Sequence, residues 1–375
     1  MSAPPAKPPH DKHPAVLFAG GGTGGHLFPA LAIHEQLPGH TPVHYACSAR
    51  PLDSRILTDA GVEFTPLPAT PPALRPDRAL RFAAGWWRSA AATRRIIRSL
   101  RDRADRVVMC TLGGFVAPPA VRAARAERVP ILMINLDAIP GAANRFIAGQ
   151  VTDVLTAVPV RDRDWPVVPP VVRRAFTQRP DPAGARRDYD LDPDLDTLLI
   201  TGGSQGARSV GGFALAVATA NPDAFHGWQV LHQCGAHDEP GEIASRWNAL
   251  GIRATVRPFL ADMPAAWAAA TLHLGRCGAG TVAEAAATRT PSVFMPYPWH
   301  KDMHQKLNAM PLVDASAARC IEDQIDPDAN ARRHAHALLD LIQDRPTRDA
   351  MSRALDALPE PDGARRIAKR LAELA

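Results

Sequence analysis

Three glycine-rich turns, each between a short apolar run and a segment with helical periodicity, constrain this chain more than any other feature. The central turn, GGSQGAR at residues 202–208, follows the apolar run at residues 198–200, and the other two span residues 20–25 and 275–280. Such a turn leaves backbone N–H groups unpaired at the positive end of a helix dipole, where they attract phosphate. Glycine also serves turn geometry alone. The repetition of the pattern therefore carries the prediction of an anion site.

The composition narrows the class of protein. The chain of 375 residues is 46% hydrophobic, which is enough for two domain cores. The net charge of +5 favours an anionic ligand or surface, but it is too small to indicate nucleic acid without a recognition motif. The five cysteines have neither metal-ligand nor disulfide spacing, which fits a reducing cytoplasm. We expect no signal peptide and no transmembrane span, because no apolar run of suitable length occurs.

Short apolar runs alternate with helical stretches along the chain, which predicts parallel sheets with helices on both faces. The predicted strands are 15–19, 43–46, 107–110, 130–134, 197–201, 229–233, 255–260, 271–274 and 291–296. Helices are predicted at residues 27–37, with Pro29 in the first turn, and at residues 210–220. The fold class is therefore α/β, with two Rossmann-like domains whose sheets face a cleft where ligands bind.

A stretch rich in Pro and Arg, residues 158–183, marks the boundary between the two domains. We expect a disordered tail, an N-terminal Rossmann-like domain, a C-terminal Rossmann-like domain and a helical segment that packs back on the first domain. Their ranges are 1–13, 14–165, 166–350 and 351–375.

Two cofactor interpretations fail on the position of the acidic residues. The first turn fits the dinucleotide pattern Gly-x-Gly-x-x-Gly, which expects an acidic residue after the second strand. Residues 47–50 (CSAR) contain none, so NAD is excluded. The Asp-x-Asp run at residues 190–194 is similar to that of metal-dependent glycosyltransferases, but it precedes a strand. A solvated acidic turn is favoured there, and we expect no metal site.

The turn GGTGGHLFP at residues 21–29 and the central turn resemble those of the MurG family of glycosyltransferases, glycosyltransferase family 28. Supporting stretches are GGFV, HQCG, TVAE and HKDMHQ, which begin at residues 113, 232, 281 and 300. They occur in the family's order over nearly the whole chain. The resemblance implies the GT-B fold and inverting, metal-independent transfer of N-acetylglucosamine from UDP-GlcNAc to lipid I, a polyprenyl-diphosphate acceptor. It also implies work at the cytoplasmic face of the inner membrane, with UDP-GlcNAc as co-substrate and no cofactor.

Two alternatives stay open. One is a MurG-like paralogue that glycosylates a different lipid, and the other is a catalytically inactive nucleotide-sugar-binding protein. A UDP-GlcNAc 2-epimerase of the same fold would need a carboxylate-rich site that the glycine turns do not supply.

The resemblance implies a donor site in which amides and helix termini stabilise the departing diphosphate. Glu284 is expected to accept both ribose hydroxyls, although Thr281-x-x-Glu284 also fits a capping box. Leu260 would present its backbone to uracil. His304 and Gln305 would hold sugar hydroxyls, the alternative being a solvated helix face. The predicted donor-binding residues are Thr23, Gly24, Gly25, Arg173, Gly203, Ser204, Gln205, Gly206, Leu260, Gly280, Thr281, Glu284, His304 and Gln305.

The acceptor half matches the family less closely. His26 is the favoured general base, because imidazole can take a proton near neutral pH. The family's His-Glu-Gln-Asn stretch is Ile-Asn-Leu-Asp here, at residues 134–137, so Asp137 is a second candidate base. Apolar neighbours would raise its pKa towards neutrality. The predicted acceptor-side residues are Gly113, Gly114 and Asn135.

Aromatic and basic residues alternate between residues 81 and 98. Phe82, Trp86 and Trp87 with nearby arginines predict contact with an anionic membrane surface, in which rings lie at headgroup depth. The alternative is a core-facing helix with a solvated basic side.

Overall fold

A computed structural model describes residues 14–22, 24–72, 76–178, 180–202, 206–299 and 302–375. It divides into two α/β units. The N-terminal unit comprises the described residues of Met1–Arg173 together with Asp362–Ala375, and the C-terminal unit comprises those of Arg174–Pro361. Each unit contains a six-stranded, wholly parallel sheet, which confirms the predicted α/β class. The predicted tail at residues 1–13 lies outside the described residues.

The sheet of the N-terminal unit has the strand order β3-β2-β1-β4-β5-β6. Its strands are β1 Ala15–Gly20, β2 Val43–Ser48, β3 Phe64–Leu67, β4 Val107–Gly113, β5 Ile131–Asn135 and β6 Asp153–Thr156. The helices between them are α1 Gly24–His34, α2 Pro51–Asp59, α3 Pro76–Arg101, α4 Ala117–Ala126 and α5 Ala142–Ile147. The central strands β1 and β4 are buried at every residue because helices cover both faces.

The sheet of the C-terminal unit has the order β12-β11-β10-β7-β8-β9. Its strands are β7 Asp196–Thr201, β8 Trp228–Gln233, β9 Ala254–Arg257, β10 Leu272–Gly275, β11 Ser292–Phe294 and β12 Ala318–Cys320. Its helices are α6 Arg174–Thr177, α7 Pro182–Asp188, α8 Arg208–Ala220, α9 Pro240–Ala249, α10 Met263–Ala269, α11 Ala279–Thr288, α12 His304–Asp314, α13 Pro327–Gln343 and α14 Arg345–Asp356. The core lies between this sheet and helices that include α8 and α13.

The last helix, α15 Gly363–Leu374, returns to the N-terminal unit and packs against α1 and β4. Arg370 Nε donates to Asp153 Oδ2 at 2.6 Å, which fastens α15 to β6. Two stretches differ from the predicted ranges. Residues 166–173 belong to the N-terminal unit, and residues 351–361 belong to the C-terminal unit, where Met351 of α14 lies in the core.

The structure bears on two local predictions, the position of Pro29 in α1 and the nature of the acidic run at residues 190–194. Helix α1 begins at Gly24, so Pro29 lies beyond its first turn rather than within it. The acidic run at residues 190–194 precedes the amino end of β7, whereas the central glycine turn follows its carboxyl end. Asp192 accepts from the backbone N–H of Asp194 at 2.9 Å, and Asp190 pairs with Arg257 at 3.1 Å, as in an ordinary acidic turn. Within the described ranges, no helix combines the length and the apolarity needed to cross a bilayer.

Close backbone packing explains two glycine turns of the N-terminal unit, which follow the neighbouring strands β1 and β4. Gly114 has a φ of +80°, and a Cβ placed there would lie 2.2 Å from the carbonyl oxygen of Gly21. A Cβ at Gly22 would lie 2.8 Å from Phe115 Cε1. Only glycine permits this approach, so the two turns fix each other's shape.

We expect Gly114→Ala to lower the free energy of unfolding by about 3 kcal/mol or more, because backbone strain and a backbone clash act together. Gly61→Ala is the matched control. Gly61 also has a positive φ, +65°, but no atom lies near its Cβ position. It should cost only about 1–2 kcal/mol. Urea denaturation measures both, and equal losses would show that the approach to Gly21 is unimportant.

Candidate active site

A buried carboxylate holds the first glycine turn. Asp53 Oδ2 accepts from the backbone N–H of Gly22 at 2.7 Å, from Ser48 Oγ at 2.6 Å and from the backbone N–H of Ser48 at 3.2 Å. Arg50 donates to the carbonyl oxygen of Gly22, and its guanidinium lies 5.4 Å from the centroid of the Phe115 ring. Sequence reasoning missed Asp53, because the dinucleotide pattern expects its acidic residue directly after β2, whereas Asp53 lies within α2. Side chains at the start of α2 therefore set the shape of this turn.

The two candidate bases lie within electrostatic reach of each other. His26 is half-buried in the first turn of α1. Burial lowers the pKa of His26, against the opposing charges of Asp137 and Asp53 and a backbone hydrogen bond with Gly21. The imidazole is therefore neutral near pH 7 and able to accept a proton. Because Asp137 raises the proton affinity of His26, the structure brings the two predicted catalytic residues together.

The predicted acceptor-side residues organise the loop that carries Asp137. Asn135 Nδ2 donates to the carbonyl oxygen of Asp137 at 2.7 Å and to Thr156 Oγ1 at 3.0 Å. Asn144 Nδ2 donates to Asn135 Oδ1 at 3.4 Å. A Cβ at Gly113 would lie 2.4 Å from Asn144 Oδ1. These contacts give Asn135 and Gly113 structural roles, and their direct contact with an acceptor stays a prediction.

In the C-terminal unit, the second and third glycine turns follow β7 and β10, which are neighbours in the sheet. Gly206 has a φ of +76°, and a Cβ there would lie 2.1 Å from the carbonyl oxygen of Cys234. Helix α11 begins at Ala279 after the N-cap Gly278, so Gly280 and Thr281 lie in its first turn. Their N–H groups have no acceptor within the helix and stand at the positive end of its dipole. The predicted residues Thr23, Gly203, Ser204 and Gln205 lie outside the described residues.

Glu284 is not part of a capping box. The N-cap of α11 is Gly278, so Thr281 stands three residues inside the helix, and Glu284 Oε2 instead accepts from the indole Nε1 of Trp267 at 2.9 Å. Burial raises the pKa of Glu284 to about 7, against the opposing effect of the Trp267 hydrogen bond. Thr281 and Glu284 are three residues apart and share one face of the helix. The carboxylate therefore stands one turn beyond the unpaired amides.

Helix α12 brings two further predicted residues into hydrogen-bonded positions. Asp302 Oδ1 lies 2.8 Å from His304 Nδ1 and accepts from the backbone N–H of His304 at 3.3 Å. Gln305 Oε1 accepts from the backbone N–H of Tyr297 at 2.9 Å. Both side chains are half-buried, unlike those of a freely solvated helix face. The side chain of Leu260 is buried, which leaves its backbone as the group that could meet a ligand.

The arginines near the turns have protein partners. Arg173 Nε donates to Glu35 Oε1 at 2.7 Å within the N-terminal unit, and its phosphate contact stays a prediction. Arg208, at the start of α8, pairs with Asp238 and donates to the carbonyl oxygen of His237 at 2.8 Å.

A buried ion pair that sequence reasoning missed lies behind the turns of the C-terminal unit. Arg276 Nη1 lies 2.8 Å from an oxygen of Asp323, and Arg276 Nη2 donates to Ser209 Oγ at 3.0 Å. Ser209 Oγ in turn donates to Asp323 Oδ2 at 2.7 Å. The only signal in the sequence was an arginine among glycines directly after the apolar strand β10. The pair joins the first turn of α8 to the loops after β10 and β12.

We expect the His26 imidazole to titrate below its ordinary pKa of 6.5, and Asp137→Asn to lower that pKa further because a negative charge is removed. NMR titration of the His26 ring measures both values. Asp59→Asn, which changes an exposed acid on α2, is the control and should leave the titration unchanged. Below about pH 6.5 the unfolded chain binds more protons at this site, so its contribution to stability falls with decreasing pH. If the pKa of His26 is the same in Asp137→Asn as in the wild type, Asp137 has no electrostatic effect on His26.

Comparison with known proteins assigns the chain to a family. Residues 16–156 match the glycosyltransferase family 28 N-terminal domain, and residues 197–370 match the family's C-terminal domain. The UDP-N-acetylglucosamine--N-acetylmuramyl-(pentapeptide) pyrophosphoryl-undecaprenol N-acetylglucosamine transferase of Solibacter usitatus is 35% identical over 82% of this chain and 83% of that protein. The protein of that name from Mycolicibacterium paratuberculosis is 35% identical over 95% of this chain and 87% of its own.

Solved structures share the fold. Acinetobacter baumannii MurG has a TM-score of 0.73 at 22% identity and covers 96% of this chain and 100% of its own. UDP-GlcNAc 2-epimerase from Neisseria meningitidis, bound to UDP-GlcNAc, has a TM-score of 0.64 at 12% identity and covers 96% and 99%. The fold alone thus does not distinguish transfer from epimerisation, and the sequence matches decide the family. The chain belongs to glycosyltransferase family 28.

Proposed function

We propose that this protein transfers N-acetylglucosamine from UDP-GlcNAc to a polyprenyl-diphosphate-linked muramoyl-peptide, which converts lipid I to lipid II in peptidoglycan synthesis. Relatives at 35% identity over most of the chain carry names that describe this transfer. The structural observation that carries the proposal is the position of Glu284, one helical turn beyond the unpaired amides of α11. A diphosphate at those amides and a ribose at the carboxylate match the two parts of a nucleoside diphosphate.

The donor is bound mainly by the C-terminal unit. Amides of Gly280 and Thr281 bind the diphosphate, and Glu284 accepts the ribose hydroxyls. The backbone of Leu260 contacts uracil, and His304 and Gln305 hold hydroxyls of the sugar. Because Asp302 contacts the His304 ring, that ring has a fixed orientation from which to meet a hydroxyl.

The reaction is a single displacement that inverts the anomeric carbon. The acceptor hydroxyl attacks that carbon, the bond to the β-phosphate oxygen breaks, and UDP leaves with the electron pair. His26 takes the proton of the attacking hydroxyl, while the charge of Asp137 supports the imidazolium that forms. We favour His26 over Asp137 as the base because an imidazole that is neutral at working pH is intrinsically a stronger base than a carboxylate.

The negative charge on the departing diphosphate is stabilised without a metal ion in this proposal. Glycine-turn amides and the dipoles of α8 and α11 are fixed before reaction, so they need no reorganisation as charge develops. Arg173 is the proposed cation on the phosphate side. UDP-GlcNAc is a co-substrate, and no cofactor takes part.

An aromatic cluster on α3 and α5 supports binding to the cytoplasmic face of the inner membrane. The rings of Phe82 and Trp86 lie 5.9 Å apart, and those of Trp86 and Phe146 lie 6.4 Å apart. Trp87 and Phe146 are each 59% exposed, and Arg122 lies over the Trp87 ring at 5.2 Å. The exposed rings of Trp87 and Phe146 suit an anionic lipid surface, whereas Phe82 and Trp86 are half-buried beside them.

Purified protein with UDP-GlcNAc and a lipid I analogue tests the reaction. We expect turnover in excess EDTA, and a loss in kcat of about 10²–10⁴-fold for His26→Ala with little change in donor KM. Asp137→Asn should lose less, because it acts through His26. A larger loss in Asp137→Asn would make Asp137 the base, and rescue by Mg²⁺ after EDTA would contradict metal independence.

The same assay separates the alternatives. Donor binding without turnover on any lipid acceptor would indicate an inactive nucleotide-sugar-binding protein. Turnover with a different polyprenyl-diphosphate acceptor, but not with the lipid I analogue, would indicate a paralogue.

Replacing Phe82, Trp86 and Trp87 together with Ser should lower partition onto anionic vesicles by at least about tenfold while the protein stays folded. Vesicle co-sedimentation and thermal denaturation measure the two properties. Trp299→Ser changes a tryptophan that is 67% exposed in the C-terminal unit and should leave partition unchanged. Unfolding of the triple variant would show instead that these rings belong to the core.

A further inference from the structure

A chain of contacts in the C-terminal unit leads from the end of β7 to the Glu284 carboxylate. Thr201 Oγ1 lies 2.9 Å from His273 Nε2, and the His273 ring lies 4.5 Å from the Trp267 ring, centroid to centroid. Trp267 is almost fully buried in α10, and its indole Nε1 donates to Glu284 Oε2 at 2.9 Å. Residues of two strands thus pack behind Trp267, which alone of the three contacts the Glu284 carboxylate.

The chemistry of the indole makes this contact directional. An indole N–H donates a hydrogen bond and cannot accept one. It therefore favours the acceptor form of Glu284, whereas burial of the carboxyl favours the neutral acid. A protonated Glu284 would carry a donor O–H on one oxygen and would accept ribose hydroxyls more weakly than the carboxylate does. The Trp267 hydrogen bond to Glu284 Oε2 lowers the pKa of the carboxyl group and so opposes the effect of burial.

We propose that Trp267 is a positioning residue of the donor site, which holds the Glu284 carboxylate in place as the acceptor of the ribose hydroxyls. This inference rests on the proposed function, in which Glu284 binds ribose. Trp267 itself touches neither ribose nor the reacting atoms in this arrangement.

The surroundings of Trp267 keep the indole in place without adding charge. His273 is fully buried, and burial lowers its pKa to about 3, so the ring against Trp267 is neutral at working pH. The Phe294 ring lies 5.9 Å beyond His273. Helix α10 carries no titratable side chain. The titratable residues on the other helices packed against α11 are Arg174 of α6 and His304, Lys306 and Asp314 of α12.

UDP affinity measured by calorimetry from about pH 5.5 to about pH 9 tests the proposal. Wild-type affinity should fall as pH decreases through about 7, where Glu284 becomes protonated. In Trp267→Phe the midpoint should rise by about one pH unit, because the donor that favours the carboxylate is lost. Affinity at pH 7 should then be about five-fold weaker and should recover towards wild type near pH 9. The kcat at saturating donor should change less than about two-fold.

Trp247→Phe is the matched control. Trp247 is fully buried in the same unit, and its indole Nε1 has no hydrogen-bond partner among the described residues. This variant removes an indole from the core and should keep the wild-type midpoint. An equal shift in both variants would overturn the positioning role, because the effect would then be one of core packing.

Glu284→Gln tests the role of Glu284 separately from that of Trp267. If it binds UDP as tightly as wild type at pH 8, the proposed role of Glu284 fails. If it binds more weakly while Trp267→Phe keeps the wild-type midpoint, the role of Trp267 alone is overturned.

Should Trp267→Phe fail to fold, indole NMR of the wild-type protein gives the answer. One of the signals of the seven tryptophans should titrate with a midpoint near pH 7 and stop doing so in Glu284→Gln. Absence of such a signal would overturn the proposal.

Discussion

The buried ion pair between Arg276 and Asp323 supports the end of the C-terminal sheet at which the glycine turns lie. Burying two charges costs several kcal/mol for each ion unless hydrogen bonds surround them. Burial raises the pKa of Asp323, but hydrogen bonds from Asn330, Ser209 and a backbone amide, together with the charge of Arg276, outweigh that effect and lower it. Arg276 also donates to the carbonyl oxygen of Met295 at 2.9 Å. The pair thus ties together the segments that follow four strands.

In the N-terminal unit, too, a buried carboxylate holds a glycine turn in place. A glycine turn offers its amides to a ligand, but it has no side chains with which to hold its own shape. Side chains from other segments must therefore hold the turn in shape. Asp53 does so in the N-terminal unit, and the Arg276–Asp323 pair does so in the C-terminal unit. Both carboxylates come from segments distant in sequence from the turns they hold. Preorganised amides of this kind are what charge stabilisation in a transition state requires.

Central strands could be predicted from sequence because burial on both faces leaves continuous apolar runs, as in β1, β4 and β7. The strands β3, β6 and β12 were not predicted. Each lies at the edge of its sheet, where partial exposure interrupts the apolar pattern, and β3 contains Pro66. The site residues also differ in how well the sequence predicts them. Turn glycines, His26 and Glu284 stand in local motifs, whereas Trp267 gains its role only from a partner 17 residues away.

The return of α15 to the N-terminal unit has a consequence for biosynthesis. Its residues are translated after the entire C-terminal unit, so a nascent chain that has just completed β6 lacks one helix of its first unit. The surfaces of α1 and β4 that α15 covers stay open to solvent, or to chaperones, throughout that interval. The C-terminal unit, which is continuous in sequence, can finish folding first. The order of completion is then the reverse of the order of synthesis.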